Sequence, residues 1–233
     1  MKKGYRFYLS ICLEVIVVIS SIVGVILSVL RENDQFMGGP STILYFTIQS
    51  NLWICFIMFV LCSCKIIEKQ INQTLIKRWM YVLKYVFTIS ISLTGFVFCF
   101  LLAPVIPGDY NPWHIASSLT HVIVPVCSIA DLFIDEYKLQ IKPKEELYVL
   151  IPPLYYLVFS IIGFFVPFDF GNGQNYPYFF LNFGSEAGMF GFVKEPLSIG
   201  CFYWIVLMLL IVLGSGYLYK FFINKAYNRK SNR

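Results

Sequence analysis

The chain has 233 residues, 58% hydrophobic, 18% aromatic and 13% charged, with a mean hydropathy of +0.70. Soluble domains lie nearer half apolar and a quarter charged, so this composition excludes an ordinary soluble domain and points to an all-α polytopic membrane protein. The formal net charge of +5 calls for no nucleic-acid partner, because basic anchors beside anionic membrane lipids account for it.

Six apolar blocks follow one another, at about 7–30, 44–64, 80–102, 113–134, 147–167 and 197–222. Each is long enough for a helix across a bilayer, which takes about 20 residues, and together they form one membrane domain over 1–233. Helices satisfy their own backbone polar groups in lipid, and the short alternating strands of a barrel are missing. The first block resembles a signal peptide, but its apolar run is too long and no small-x-small cleavage site follows; it is expected to stay as the first span. The seven cysteines all fall inside apolar blocks, which argues against a disulfide framework. Cys62 and Cys64 lack the partners that a zinc site needs, so no metal and no cofactor is expected.

Between the blocks the charge alternates. Lys2, Lys3 and Arg6 precede the first. Lys65, Lys69, Lys77 and Arg78 lie in the 65–79 segment, Lys138, Lys142 and Lys144 in 135–146, and Lys220, Lys225, Arg229, Lys230 and Arg233 in the tail. These segments hold 15 of the 18 basic residues, and the positive-inside rule then places both termini in the cytoplasm of a multi-pass cell-membrane protein. The long loop at 168–196 is rich in glycine and aromatic residues, suited to the headgroup level.

Block two opens with YFTIQSNLW. Thr47, Ser50, Asn51 and Ile54 are spaced i, i+3, i+4, i+7 and share one helix face, while Gln49 points elsewhere. Block four carries both histidines, and His114, Ser117, Ser118, His121 and Ser128 form a stripe. Thr47 and His121 are expected at similar depth, so the two polar faces should turn toward each other. A hydroxyl and an imidazole at one level suit a nucleophile and its base, with Asn51 and its neighbours Ser50 and Gln49 as oxyanion or orienting groups. Serine, asparagine and histidine also bridge membrane helices without any chemistry, and by spacing alone that is the simpler account. At the other end Glu14, Lys84 and Asp131 lie inside blocks, where an unpaired charge is costly; Lys84 is expected to pair with Glu14 or Asp131 and hold spans one, three and four together. Pro152 and Pro153 should kink span five or begin its regular helix.

YFTIQSNL, the spacing of His121, Pro125 and Asp131, and the loop segment NYPYFFLN together resemble a bacterial integral-membrane family related to the androgen-induced protein and androgen-dependent TFPI-regulating protein group of animals. The resemblance covers span two to span six. It implies a six-span hydrolase of lipid (fatty-acyl) esters in which Thr47 is the nucleophile and His121 the base, acting on a membrane-lipid ester. It also draws attention to Tyr176, Tyr178 and Asn182 as a substrate loop; Phe179 and Asn182 depart from the family's Y-P-Y-P-F-L-D pattern, which has Pro and Asp there. The rival expectation is a small transporter or lipid-binding membrane protein whose Thr/Asn/His cluster is a set of helix-bridging contacts.

Overall fold

The computed structural model describes residues 3–31, 39–105, 111–135, 139–166, 168–194 and 198–231. Lys2, Lys138 and Arg233, the middle of the first two loops (32–38 and 106–110) and residues 195–197 lie outside them. Among the described residues six helices are long and apolar enough to cross a membrane: α1 (Lys3–Leu30), α2 (Phe46–Ile71), α3 (Arg78–Val105), α4 (Ile115–Ile134), α5 (Pro143–Phe165) and α6 (Cys201–Ser231). This is the architecture of a multi-pass membrane protein.

The helix ends follow local chemistry. α2 stops at Asn72, which takes the left-handed conformation at φ 54° that asparagine tolerates at a helix C-terminus. The Glu68 carboxylate then accepts the Leu75 and Ile76 N–H groups of the next turn. α5 begins at Pro143, where the missing N–H is not needed, and the Glu145 carboxylate accepts the Lys142 N–H at 2.7 Å. One α-helical turn, Pro143–Glu146, leads into a 3-10 turn, Leu147–Leu150. Pro152 and Pro153 sit in the first turn of the regular helix that follows, so of the two roles open to them they begin the helix.

α3 is the most enclosed helix and packs on α2, α4, α5 and α6, while α1 lies against α2 and α4. Two apolar clusters result. One, around Tyr85, Ile89, Tyr156 and Phe180, joins α3, α5, α6 and the long loop; the other, around Val17, Ile54, Met58, Ile91 and Val124, joins α1 to α4. The loop from 168 to 194 folds against the bundle, with Phe170 and Leu181 buried, and ends in a two-stranded antiparallel ribbon, Phe192–Val193 with Ser198–Ile199.

Two π-helical turns interrupt the bundle, Phe98–Leu102 in α3 and Leu119–Ile123 in α4. Such turns often mark functional sites. Pro125 gives a local reason for the second: it has no N–H to offer the His121 carbonyl one turn back. Glycines let the helices close in at this level. A Cβ on Gly95 would stand 2.9 Å from the His121 carbonyl oxygen, and one on Gly24 would stand 2.6 Å from Thr120 Cγ2.

Candidate active site

Thr47 is the second residue of α2, and His121 lies in the π turn of α4. The structure brings them together: Thr47 Oγ1 is 3.4 Å from His121 Nε2. The other ring nitrogen, Nδ1, is 2.9 Å from the Ser117 carbonyl oxygen, with the Ser117 and Thr120 hydroxyls at 3.2 and 3.1 Å. A carbonyl only accepts, so Nδ1 carries the proton and the Nε2 lone pair faces Thr47. Phe98, from the π turn of α3, stacks on the imidazole with ring centroids 3.8 Å apart and planes 20° apart. The ring is thus fixed in both tautomer and plane.

The neighbouring hydroxyls behave differently from Thr47. Ser50 donates to the Thr47 carbonyl at 3.1 Å and meets Thr94 at 2.8 Å. Thr94 also reaches the Ser90 carbonyl and Thr120 the Ala116 carbonyl, the back-bonding common for hydroxyls inside helices. Among the described residues, the Thr47 hydroxyl has His121 and Tyr178 as its partners instead.

The remaining candidates from the sequence divide. Asn51 is fully buried, and its amide donates to the Thr47 carbonyl at 2.8 Å and the Thr120 carbonyl at 3.2 Å. It ties α2 to α4 just below the pair, and both donors are used there rather than offered to an oxyanion. Gln49 bonds the Ile43 and Leu44 carbonyls at 3.4 Å, away from His121. Asn182 accepts the Gly184 N–H at 3.1 Å and closes its own turn. Tyr176 makes no hydrogen bond among the described residues. Tyr178 is the loop residue that reaches the pair: its hydroxyl is 3.5 Å from Thr47 Oγ1 and accepts the Thr47 N–H at 3.4 Å. Its ring stacks on Phe180 at 5.0 Å and meets Tyr45 edge-on at 5.5 Å, and the Tyr45 hydroxyl donates to the Phe170 carbonyl at 2.7 Å. Burial pushes the Tyr178 hydroxyl above its ordinary pKa, so it stays protonated. The Y-P-Y segment flagged this residue; its contact with Thr47 depends on how the loop folds, which spacing does not encode.

Thr47 and Tyr178 also line a cleft between α2, α3, α5, α6 and the loop. Its side-chain hydroxyls come from Thr47, Thr94, Tyr156 and Tyr178, and its other walls are hydrocarbon and aromatic rings.

A second polar cluster lies at the opposite end of the same helices. Lys84 Nζ is 2.6 Å from Asp131 and 3.4 Å from Glu14, and also contacts Asp135. Lys84 therefore meets both expected partners. Lys65, expected in a basic loop, and Asp135, at the C-terminal cap of α4, are the additions. Lys65 Nζ is 2.7 Å from Glu14, 2.9 Å from Asp135 and 2.8 Å from Ser10 Oγ, and Ser10 in turn donates to Asp131. α2 continues to Ile71 because Lys65 finds acids to neutralise it, and the cluster joins four spans rather than three. The carboxylates of Glu14, Asp131 and Asp135 lie within 4.8 Å of one another, a spacing that could hold a metal ion, but the two ammonium groups already bridge them. The i, i+4 spacing of Asp131 and Asp135 was the signal that could have found Asp135. Lys220 likewise lies inside α6, paired with Glu146.

No protein-family model, curated protein or solved structure matches this chain.

Proposed function

We propose that the protein is a membrane-embedded hydrolase of lipid (fatty-acyl) esters with Thr47 as nucleophile and His121 as base. The observation that carries this reading is the Thr47 hydroxyl facing the unprotonated Nε2 of an imidazole whose Nδ1–H is held by the Ser117 carbonyl. Catalytic hydrogen bonds are commonly long before substrate binds and tighten afterwards, so 3.4 Å suits a resting pair. The likeness of YFTIQSNL, His121 and the Tyr178 loop to the threonine lipid hydrolases supports the same chemistry.

In this mechanism Thr47 Oγ1 attacks the ester carbonyl as its proton passes to His121 Nε2. The carbonyl oxygen becomes an oxyanion beside the N-terminus of α2, where the helix dipole favours negative charge. The Thr47 N–H and the Tyr178 O–H are the donors nearest to it, and Tyr178 takes the place that the sequence suggested for Asn51. Collapse breaks the bond to the alcohol, which leaves with the proton from His121. Water, deprotonated by His121, then attacks the acyl-Thr47 ester, and the acid departs as the proton returns to Thr47 Oγ1. The basic segments orient the chain in the cell membrane with both termini cytoplasmic and this site near the outer face. A C-terminal tag reachable only from outside intact cells would reverse that orientation.

The test is labelling of the purified protein by a fluorophosphonate probe, followed by mass spectrometry of the adduct. The expected adduct is on Thr47, absent in Thr47→Ala, with at least a ten-fold slower reaction in Tyr178→Phe. Full labelling of well-folded Thr47→Ala would remove Thr47 as nucleophile. Absence of labelling and of ester turnover, with vesicle flux that survives Thr47→Ala and His121→Ala, would favour the transporter reading.

A further inference from the structure

α5 and α6 are clasped at the lysine-cluster end and part toward the Thr47 end. At the clasp, Lys220 pairs with Glu146, and Asn224 exchanges two hydrogen bonds with Ile141 at 2.8 and 3.0 Å. A Cβ on Gly216 would stand 3.2 Å from Val149, so the backbones are close there. From Ile151 onward the two helices make no comparable close approach. At the far end Trp204 of α6 packs on Phe179 and Phe180 of the loop, with ring centroids 5.6 and 6.1 Å apart, rather than on α5. The opening thus has a floor at the clasp and a roof at the loop.

The cleft lies in this opening. Leu157 borders it from α5 and Ile205, Met208 and Leu209 from α6, and its walls continue to Thr47. Both helices cross the membrane, so what faces the opening is hydrocarbon rather than water. An apolar passage at that depth, with a hydroxyl on its wall, matches a chain that is apolar along its length and polar at one end.

We propose that the α5–α6 opening is a lateral portal through which one fatty-acyl chain of a bilayer lipid enters the cleft, lying against Leu157 and Met208 with its ester group at Thr47. The position of the ester rests on the hydrolase reading; the acyl site does not.

Photocrosslinking tests the site without turnover. Full-length Thr47→Ala protein in phosphatidylcholine vesicles is irradiated with a phosphatidylcholine whose acyl chain carries a diazirine, and adducts are mapped by mass spectrometry. The expected result is saturable adducts on Leu157, Ile205, Met208 or Leu209, displaced by unlabelled long-chain ester. Met208→Trp, which fills the cleft, should lower them at least ten-fold, and Ile22→Trp on the lipid-facing side of α1 should leave them unchanged. Adducts confined to exposed faces such as that of Ile22, or cleft adducts displaced by cholesterol but not by the ester, would overturn the proposal. The two readings fail separately: cleft adducts without esterase activity in the wild-type protein leave the acyl site standing and remove the hydrolase, and Thr47-dependent turnover without cleft adducts does the reverse.

Discussion

The two polar clusters sit about 27 Å apart along α2, judged from the 18 residues between Thr47 and Lys65, and both also draw on α3 and α4. At the lysine end, three carboxylates and two ammoniums pair with one another across four helices, all but shut off from solvent. At the threonine end there is no formal charge, and the groups are few: one hydroxyl, one imidazole, one phenol. In the first arrangement each ammonium meets at least two carboxylates. The second is left incomplete: the Nε2 lone pair and the Thr47 hydroxyl face each other at 3.4 Å, and Thr47 borders an open cleft. A buried cluster that satisfies itself holds helices together; one that keeps a reactive atom facing a cavity is equipped to act on something else.

Substitutions can separate the two roles. The largest expected effect is on chemistry at the threonine end: His121→Ala should slow probe labelling about 10²- to 10⁴-fold with little change in thermal unfolding in detergent. Lys84→Met should do the opposite. It strands carboxylates in the bundle and should cost about 3–5 kcal/mol of stability, read as a lowered unfolding midpoint, while labelling per folded molecule is retained. A labelling loss in Lys84→Met beyond its folded fraction would mean that the two ends are coupled. Gly95→Ala sharpens the comparison, because its added methyl meets the His121 carbonyl. A destabilisation of about 1–3 kcal/mol should come together with slower labelling, as α4 shifts from α2. The smallest effect is expected of Ser50→Ala, which removes a helix tie worth about 1 kcal/mol and should show in the unfolding midpoint.

The six spans were legible because lipid forces long apolar runs, and Thr47 and His121 could be placed at one level because helical rise converts residue number into depth. Lys84 stood out for the same reason: a charge within an apolar run needs a partner. Lys65 was misplaced because it falls where hydropathy declines, and a paired charge inside a helix looks in sequence like one in a loop; Asp135 follows the last residue of α4, where nothing local marks it as buried. The contact between Tyr178 and Thr47 spans 131 residues and depends on the packing of Tyr45, Phe170 and Phe180, which no local pattern records. The tautomer of His121 was equally hidden, since it rests on the Ser117 carbonyl one turn earlier in the same helix.

The glycines at 24 and 95 have a consequence for how such a site would operate. They seat α4 close against α1 and α3 at the level of His121, so the imidazole is carried by a helix held from two sides. Alignment is therefore settled when the bundle assembles. Tyr178 is the one member carried by a loop, and it also roofs the cleft, so any gating by that segment would govern admission and charge stabilisation while the nucleophile and base stay in register.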